Sequence, residues 1–197
     1  MIRLRDRLPD RVTTGGRVWR VDLDFRHVLD LLGVLARDDL TPEARVWLAL
    51  RCVMRRPPRK VEAQAACLDA LRAILFDGEK KPTGEKLTDF DQDADLIRAA
   101  FLQEYGVNLW RDRLHWLEFT ALLAGLPEGS KYTEILGIRA RPMPPPTKYN
   151  AELRRWLRQA KAECAVRMTD KEREESYKRG LRALAESLLG LAEKGSE

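Results

Sequence analysis

The residue types that could do chemistry crowd between Asp89 and Glu118. Asp89, Asp91, Asp93 and Asp95 alternate just ahead of an apolar run, and a D-x-D-x-D string is how a calcium loop begins. Such a loop needs a glycine at its sixth position for the turn and a glutamate at its twelfth to chelate the ion. Counted from Asp91, those positions hold Leu96 and Leu102, and counted from Asp89 both hold alanine. Neither register closes a cation site. The acids read instead as a helix start, where carboxylates accept free backbone N–H groups and meet the positive end of the helix dipole. His115 and Glu118 stand about one helical turn apart and could share a metal or a proton. A zinc site needs further ligands at defined places, and His27 is the only other histidine. Acid–base chemistry needs a nucleophile and a pocket, and no nucleophile motif or Gly-rich loop after a strand accompanies the pair. The pair reads as helix packing with a polar tip outward. Cys52, Cys67 and Cys164 lie far apart inside apolar-periodic segments, with no CxxC, so they read as small buried hydrophobes in a reducing compartment. No catalytic residue, cofactor or metal ligand is expected, and the chain reads as a non-enzymatic protein.

A run of helices must position these groups. Arg11 to Val21 alternates polar and apolar residues around Gly15-Gly16, which signals a β-hairpin whose Val18 or Trp19 must pack on something helical. The Gly pair lacks the further glycines, Lys-Ser/Thr and helix spacing of a phosphate loop. A first helix is expected from Asp24 to about Ala36, with Phe25, Val28, Leu29, Leu32 and Leu35 as its stripe, Asp22 or Asp24 as cap, and His27 in a plain packing role. Thr41-Pro42-Glu43 opens a second, running through Val46, Trp47, Leu50, Val53 and Met54 until Arg55-Arg56-Pro57-Pro58 breaks it. A third runs from about Lys60 to Phe76, with Ala66, Leu68, Leu71, Ile74 and Leu75 inward, before a polar loop over 79–86. A fourth carries Ala94, Ile97, Ala100, Phe101 and Tyr105 on one face and ends at Gly106. After a corner at Val107 to Asp112, a fifth is expected from Arg113 to Ala124. The expected fold class is mainly α: a compact helical bundle with a small N-terminal β-hairpin and, after a Pro-rich linker, a C-terminal helical pair.

The stretch from Leu87 to Arg139 resembles the signature of the bacteriophage gene-product-fifteen family of long-tailed phages. The family's pattern is an FDxDAxxIxAAFxQxYGIxL segment, then LHWWxFxALxxGL, then a short helix ending in IIGYR. Here FDQDADLIRAAFLQEYGVNL and LHWLEFTALLAGL stand for the first two, and Leu136-Gly137-Ile138-Arg139 for the last, with Leu117 where the family often has a second Trp. The LPD, hairpin and LDFRHVLDL upstream also match, so the resemblance spans about residues 8 to 142. It implies a gene lying between the major tail protein and the tape measure protein, where tail-assembly chaperones are encoded. It therefore implies a helper for the long, apolar, helical tape measure, with no catalytic residues to carry over. Phe101, Tyr105, Trp110 and Trp116 of the motif are candidates for core, partner surface or both.

Beyond Arg141 the composition changes. Residues 1–141 are expected to form the helical domain and 142–197 a linker with a helical extension. Pro142-Met143-Pro144-Pro145-Pro146 is a stiff, extended spacer. A helix with Leu153, Leu157, Ala160, Cys164 and Met168 along one edge follows. In a second, Tyr177, Leu181, Leu184, Leu188 and Leu191 fall at coiled-coil seam spacing, too short to stand alone. Between Lys148 and Arg182 there are 11 Lys/Arg and 6 Asp/Glu, a net of +5 equal to that of the whole chain. Tyr177, Leu181, Leu184, Leu188, Leu191, Arg154, Arg155 and Arg158 are accordingly the expected partner-binding residues. The partner is a phage tail protein, the tape measure protein first, with a homo-oligomer as a further possibility. The alternative is a nucleic-acid-binding module setting Arg154, Arg155 and Arg158 on phosphates, although it lacks a recognition helix, zinc knuckle or aromatic-basic interleaving. The opening MIRLRDRLPD has no apolar run of a signal peptide, and no stretch of about 18 uncharged residues occurs, so the expected place is the cytoplasm of a bacterial host, away from membranes.

Overall fold

Gly15 and Gly16 take φ values of 55° and 72°, the left-handed pair that a two-residue hairpin turn demands. In a computed structural model that describes residues 5–76 and 86–167, they join β1 (Arg11–Thr14) to β2 (Arg17–Arg20) as an antiparallel ladder. Val12 pairs with Trp19 across the strands, so both fall on one face of the ribbon. Val12 is buried and Trp19 packs against the core, while Val18, on the other face, is 60% exposed. The hairpin lies against α3 (Val61–Phe76), with Thr14 Oγ1 3.4 Å from Cys67 Sγ.

α1 (Phe25–Leu35) is capped by Asp24, which accepts the Arg26 N–H. It buries Phe25, Val28 and Leu31, with Leu29, Leu32 and Leu35 half-buried beside them. α2 (Pro42–Val53) starts as its sequence directs: the Thr41 hydroxyl accepts from Ala44, with Pro42 and Glu43 in the first turn. It packs on α1 through Ala49, Leu50 and Val53, but Trp47 turns outward and is 45% exposed, with the Arg51 guanidinium over its ring. On α3 the expected Leu71 and Leu75 are buried and Leu68 and Ile74 half-buried, while Gln64 and Cys67 also turn inward and Ala66 is exposed. Gln64 is satisfied there because its side-chain amide donates to the Pro58 carbonyl at 2.9 Å, in a segment that cannot continue a helix.

α4 (Ala94–Tyr105) ends at Gly106, whose φ of 66° is the left-handed cap. In the corner that follows, the Asn108 N–H donates to Asp112 and the Trp110 N–H to the Asn108 side chain. α5 (Trp116–Ala124) begins three residues later than the apolar spacing predicts. Arg113 to His115 is held extended instead. Phe25 N–H donates to Leu114 O at 3.0 Å and Trp116 N–H to Leu23 O at 2.7 Å, an antiparallel bridge between Asp24 and His115. The starts of α1 and α5 are thereby stitched side by side. Arg113 strengthens the stitch, its guanidinium reaching both Asp22 and Asp24. α6 (Lys131–Ala140) is capped by Ser130, and α7 (Ala151–Glu163) follows the proline run.

Phe119 is the centre of the core. Its ring lies 4.7 Å from Phe25, 5.3 Å from Phe101, 5.8 Å from Trp116 and 6.0 Å from Phe90, centroid to centroid. The motif's aromatics divide between inside and outside. Phe101 and Trp116 are buried, with the Trp116 indole N–H donating to Leu75 O, and half-buried Tyr105 donates its hydroxyl proton to Leu122 O. Trp110 is 70% exposed, with the Arg98 guanidinium 5.0 Å above its ring.

Phe119→Ala should therefore cost about 3–5 kcal/mol in urea unfolding, whereas Trp110→Ala should stay within about 0.5 kcal/mol. Burial pushes the Asp24 carboxyl upward, but hydrogen bonds from the Arg26 side chain and backbone, and from Arg113, outweigh it and hold the group below the usual carboxylate range. Asp22 is depressed in the same way, burial being outweighed by Arg113 and the Asp24 N–H. A depressed folded-state pKa gives stability that is complete above the unfolded value of about 4 and drains as pH falls through the folded one. Urea midpoints should thus hold steady from neutral pH down to about 5 and fall below about 4, with a smaller acid loss in Asp24→Asn.

Candidate partner-binding surface

The end of α7 is tied to the body around one buried guanidinium. Arg139, in the last turn of α6, donates through Nη1 to Asp93 Oδ2 at 2.7 Å and through Nη2 to Asp93 Oδ1 at 2.8 Å. Nη1 also reaches Leu87 O at 2.8 Å, and Nε reaches Cys164 O at 2.6 Å. Asp93 is 1% exposed and Arg139 8%, and the hydrogen bond to Asp93 raises the guanidinium pKa still further from neutrality. Tyr132 closes the site: its hydroxyl lies 3.1 Å from Thr88 Oγ1, and burial pushes its pKa up. Of the four acids read as a helix start, Asp93 stands at the N-cap of α4 but makes no side-chain cap bond, its carboxylate taking Arg139 and the Asp89 N–H instead. Asp89 accepts the Asp91 and Gln92 N–H groups of the turn ahead of the helix.

Around this pair the end of α7 is tied down at several points. Lys161 Nζ donates to Arg139 O at 2.7 Å, Gln92 Nε2 to Ala165 O at 2.8 Å, and the Arg167 N–H to Gln92 Oε1 at 2.8 Å. Leu157 is the one residue of α7 that is fully buried. Leu153 and Trp156, each 49% exposed, flank Leu157 on the same side of the helix, and Tyr149 just ahead of it is 91% exposed. This exposed apolar strip was half legible: Leu153 lies on the expected edge, whereas Trp156 lies off it, between Arg155 and Leu157.

The residues expected to bind a partner divide as follows. Arg155 and Arg158 are exposed on α7, Arg158 bonding Arg154 O through its Nε at 3.3 Å. Arg154 is half-buried, and its guanidinium donates to the Pro144 carbonyl, so it braces the proline run against the helix. Tyr177, Leu181, Leu184, Leu188 and Leu191 lie outside the described residues, as does most of the polar loop. His115 is a structural cap: Nδ1 accepts the Leu117 N–H, Glu118 accepts the His115 N–H, and Nε2 lies 3.1 Å from Pro9 O. With Nδ1 accepting, Nε2 carries the proton that Pro9 receives. Among the described residues no group of three or more His, Cys, Asp or Glu could hold a metal ion, and no helix is long and apolar enough to cross a membrane.

Arg139→Ala should destabilise by about 3–5 kcal/mol, because it leaves Asp93 charged and buried without a partner. The double variant with Asp93→Ala should cost clearly less than the sum of the two single variants, as read from a urea-unfolding cycle.

Comparison with known proteins gives one result. The family model described as Bacteriophage Gp15 protein matches residues 4–166. Neither the curated proteins nor the solved structures contain a match.

Proposed function

The chain belongs to the Bacteriophage Gp15 protein family, and from that premise we propose that it is a non-enzymatic tail-assembly chaperone for the tape measure protein. The family resemblance implies a gene beside that of the tape measure, a long, apolar, helical protein that needs a soluble helper while tail-tube subunits gather. Assembly of this kind proceeds in the host cytoplasm. The observation that carries the reading is the strip of Leu153 and Trp156 on α7 with Tyr149 just ahead of it. These are large apolar side chains left in solvent on and beside a helix that is otherwise firmly docked. Aromatic anchors of this kind, rimmed by arginine, are what a helical partner's apolar face packs against. The surrounding Arg155 and Arg158 keep the strip soluble while it waits.

Phosphate binding by the same helix is the weaker reading, because Arg154 is occupied by Pro144, which leaves Arg155 and Arg158 as the exposed pair. A steep fall of affinity with salt would mark it.

Co-expression with the tape measure protein of the same genome tests the proposal. The tape measure should become soluble and co-elute with this chain. Leu153→Glu/Trp156→Glu should unfold at the same temperature as the parent yet weaken the complex by about tenfold or more. A tape measure that stays equally insoluble with and without this chain, and never co-elutes, would refute the assignment.

A further inference from the structure

Some arginines of this protein keep an aspartate within reach: Arg26, Arg37, Arg98, Arg113 and Arg139 all form such pairs. Others have no such partner, and several of these cations gather in one place. Arg17 on β2 and Arg56, Arg59 and Lys60 between α2 and α3 line a single cleft of about 850 Å³. None of the four forms an ion pair among the described residues, and Glu62 is the one carboxylate on the cleft wall. The cleft follows from the sequence. Pro57-Pro58 cannot continue α2, so Arg-Arg-Pro-Pro-Arg-Lys runs as a connection across the start of α3, and β1 packs on α3 and brings the hairpin turn opposite.

Two further observations specify what the cleft wants. Trp19 lines the cleft, and its indole nitrogen is buried without a hydrogen-bond partner, whereas the Trp116 indole bonds Leu75 O. A buried donor without an acceptor is costly, which makes Trp19 the side chain of the wall with most to gain from a change in its surroundings. α3, with 16 residues the longest described helix, also begins at this cleft, with Lys60 where a capping hydroxyl or carboxylate usually stands. Its dipole adds positive potential to that of the four side chains.

We propose that the cleft binds an acidic peptide segment of a partner protein. Its carboxylates pair with Arg17, Arg56 and Arg59 beside Trp19, and a small apolar side chain rests on Pro57. A nucleic-acid strand fits less well. It seeks a long phosphate-tracking stripe and exposed aromatic faces for stacking, whereas these cations ring one cleft whose aromatic is half-buried. The site is separate from the α7 strip and does not depend on the tape-measure reading.

The full-length chain is titrated with a fluorescein-labelled peptide of alternating Glu and Leu, with its Lys-substituted counterpart, and with a single-stranded DNA oligonucleotide of equal charge. The acidic peptide should bind about tenfold or more tighter than either control, and Arg56→Glu/Arg59→Glu should weaken it by about tenfold or more. Arg155→Glu/Arg158→Glu should leave it unchanged. The Trp19 indole N–H resonance, assigned by its absence in Trp19→Phe, should shift on binding. Absence of peptide binding, equal loss in the α7 variant, equal affinity for the oligonucleotide, or an unmoved Trp19 resonance overturns the proposal.

Discussion

A guanidinium has five N–H donors in one plane and no acceptor, so burying it requires oxygens to arrive from several directions at once. Arg139 meets that requirement with both oxygens of Asp93 and the carbonyls of Leu87 and Cys164. The four come from the chain ahead of α4, the residue that opens α4, and the end of α7. A buried charge short of its partners costs several kcal/mol, so partial assembly of this group is penalised from every side. The net contribution of such a pair to stability is modest. Its contribution to geometry is large, since it decides where α7 sits and therefore which of its side chains reach solvent. The exposed strip of Tyr149, Leu153 and Trp156 is a consequence of where Arg139 pulls Cys164.

Local chemistry made much of the fold legible. Gly15-Gly16, Thr41-Pro42-Glu43 and Gly106 dictate backbone geometry within a few residues of themselves, and each does in the structure what its type requires. The helix boundaries that went astray did so for partners far along the chain. α5 starts late because Leu114 and Trp116 bond Leu23 and Phe25, some ninety residues earlier, and helical spacing alone carries no sign of that. Asp93 is the same lesson in electrostatic form. Among four alternating acids nothing local marks the one whose partner lies in Ile138-Arg139, and the fitting inference from neighbours alone was a helix cap. On α3 the apolar spacing found Leu71 and Leu75 but not Gln64, a polar residue turned inward to satisfy the Pro58 carbonyl. The site was less legible than the fold. Arg155 and Arg158 lie exposed beside the strip, Arg154 serves as a brace, and Trp156 was hidden from a reading that followed only the Leu edge.

Net charge is a poor guide to where this molecule is electrically visible. The chain carries +5 and a pI near 9.2, yet some of its arginines are matched by an aspartate a few residues away or across the fold. Such matched pairs cancel within a few ångströms and contribute little beyond a Debye length. Among the cations left unmatched in the described residues are those of the hairpin cleft and of α7.

The bridge between Asp24 and His115 bears on the order in which the chain can fold as it is made. Synthesis delivers the hairpin, α1, α2 and α3 well before Trp116, whose N–H closes onto Leu23 O and whose ring covers Leu75. Until then the Phe25 N–H lacks its acceptor at Leu114, and Phe25 lacks the stacked ring of Phe119. A nascent chain shorter than this holds an amphipathic half-core that cannot shut. Its final packing waits on contacts of high sequence separation, which set slow folding rates. For a protein read as a custodian of another chain's apolar surface, the first such surface exposed at the ribosome is its own.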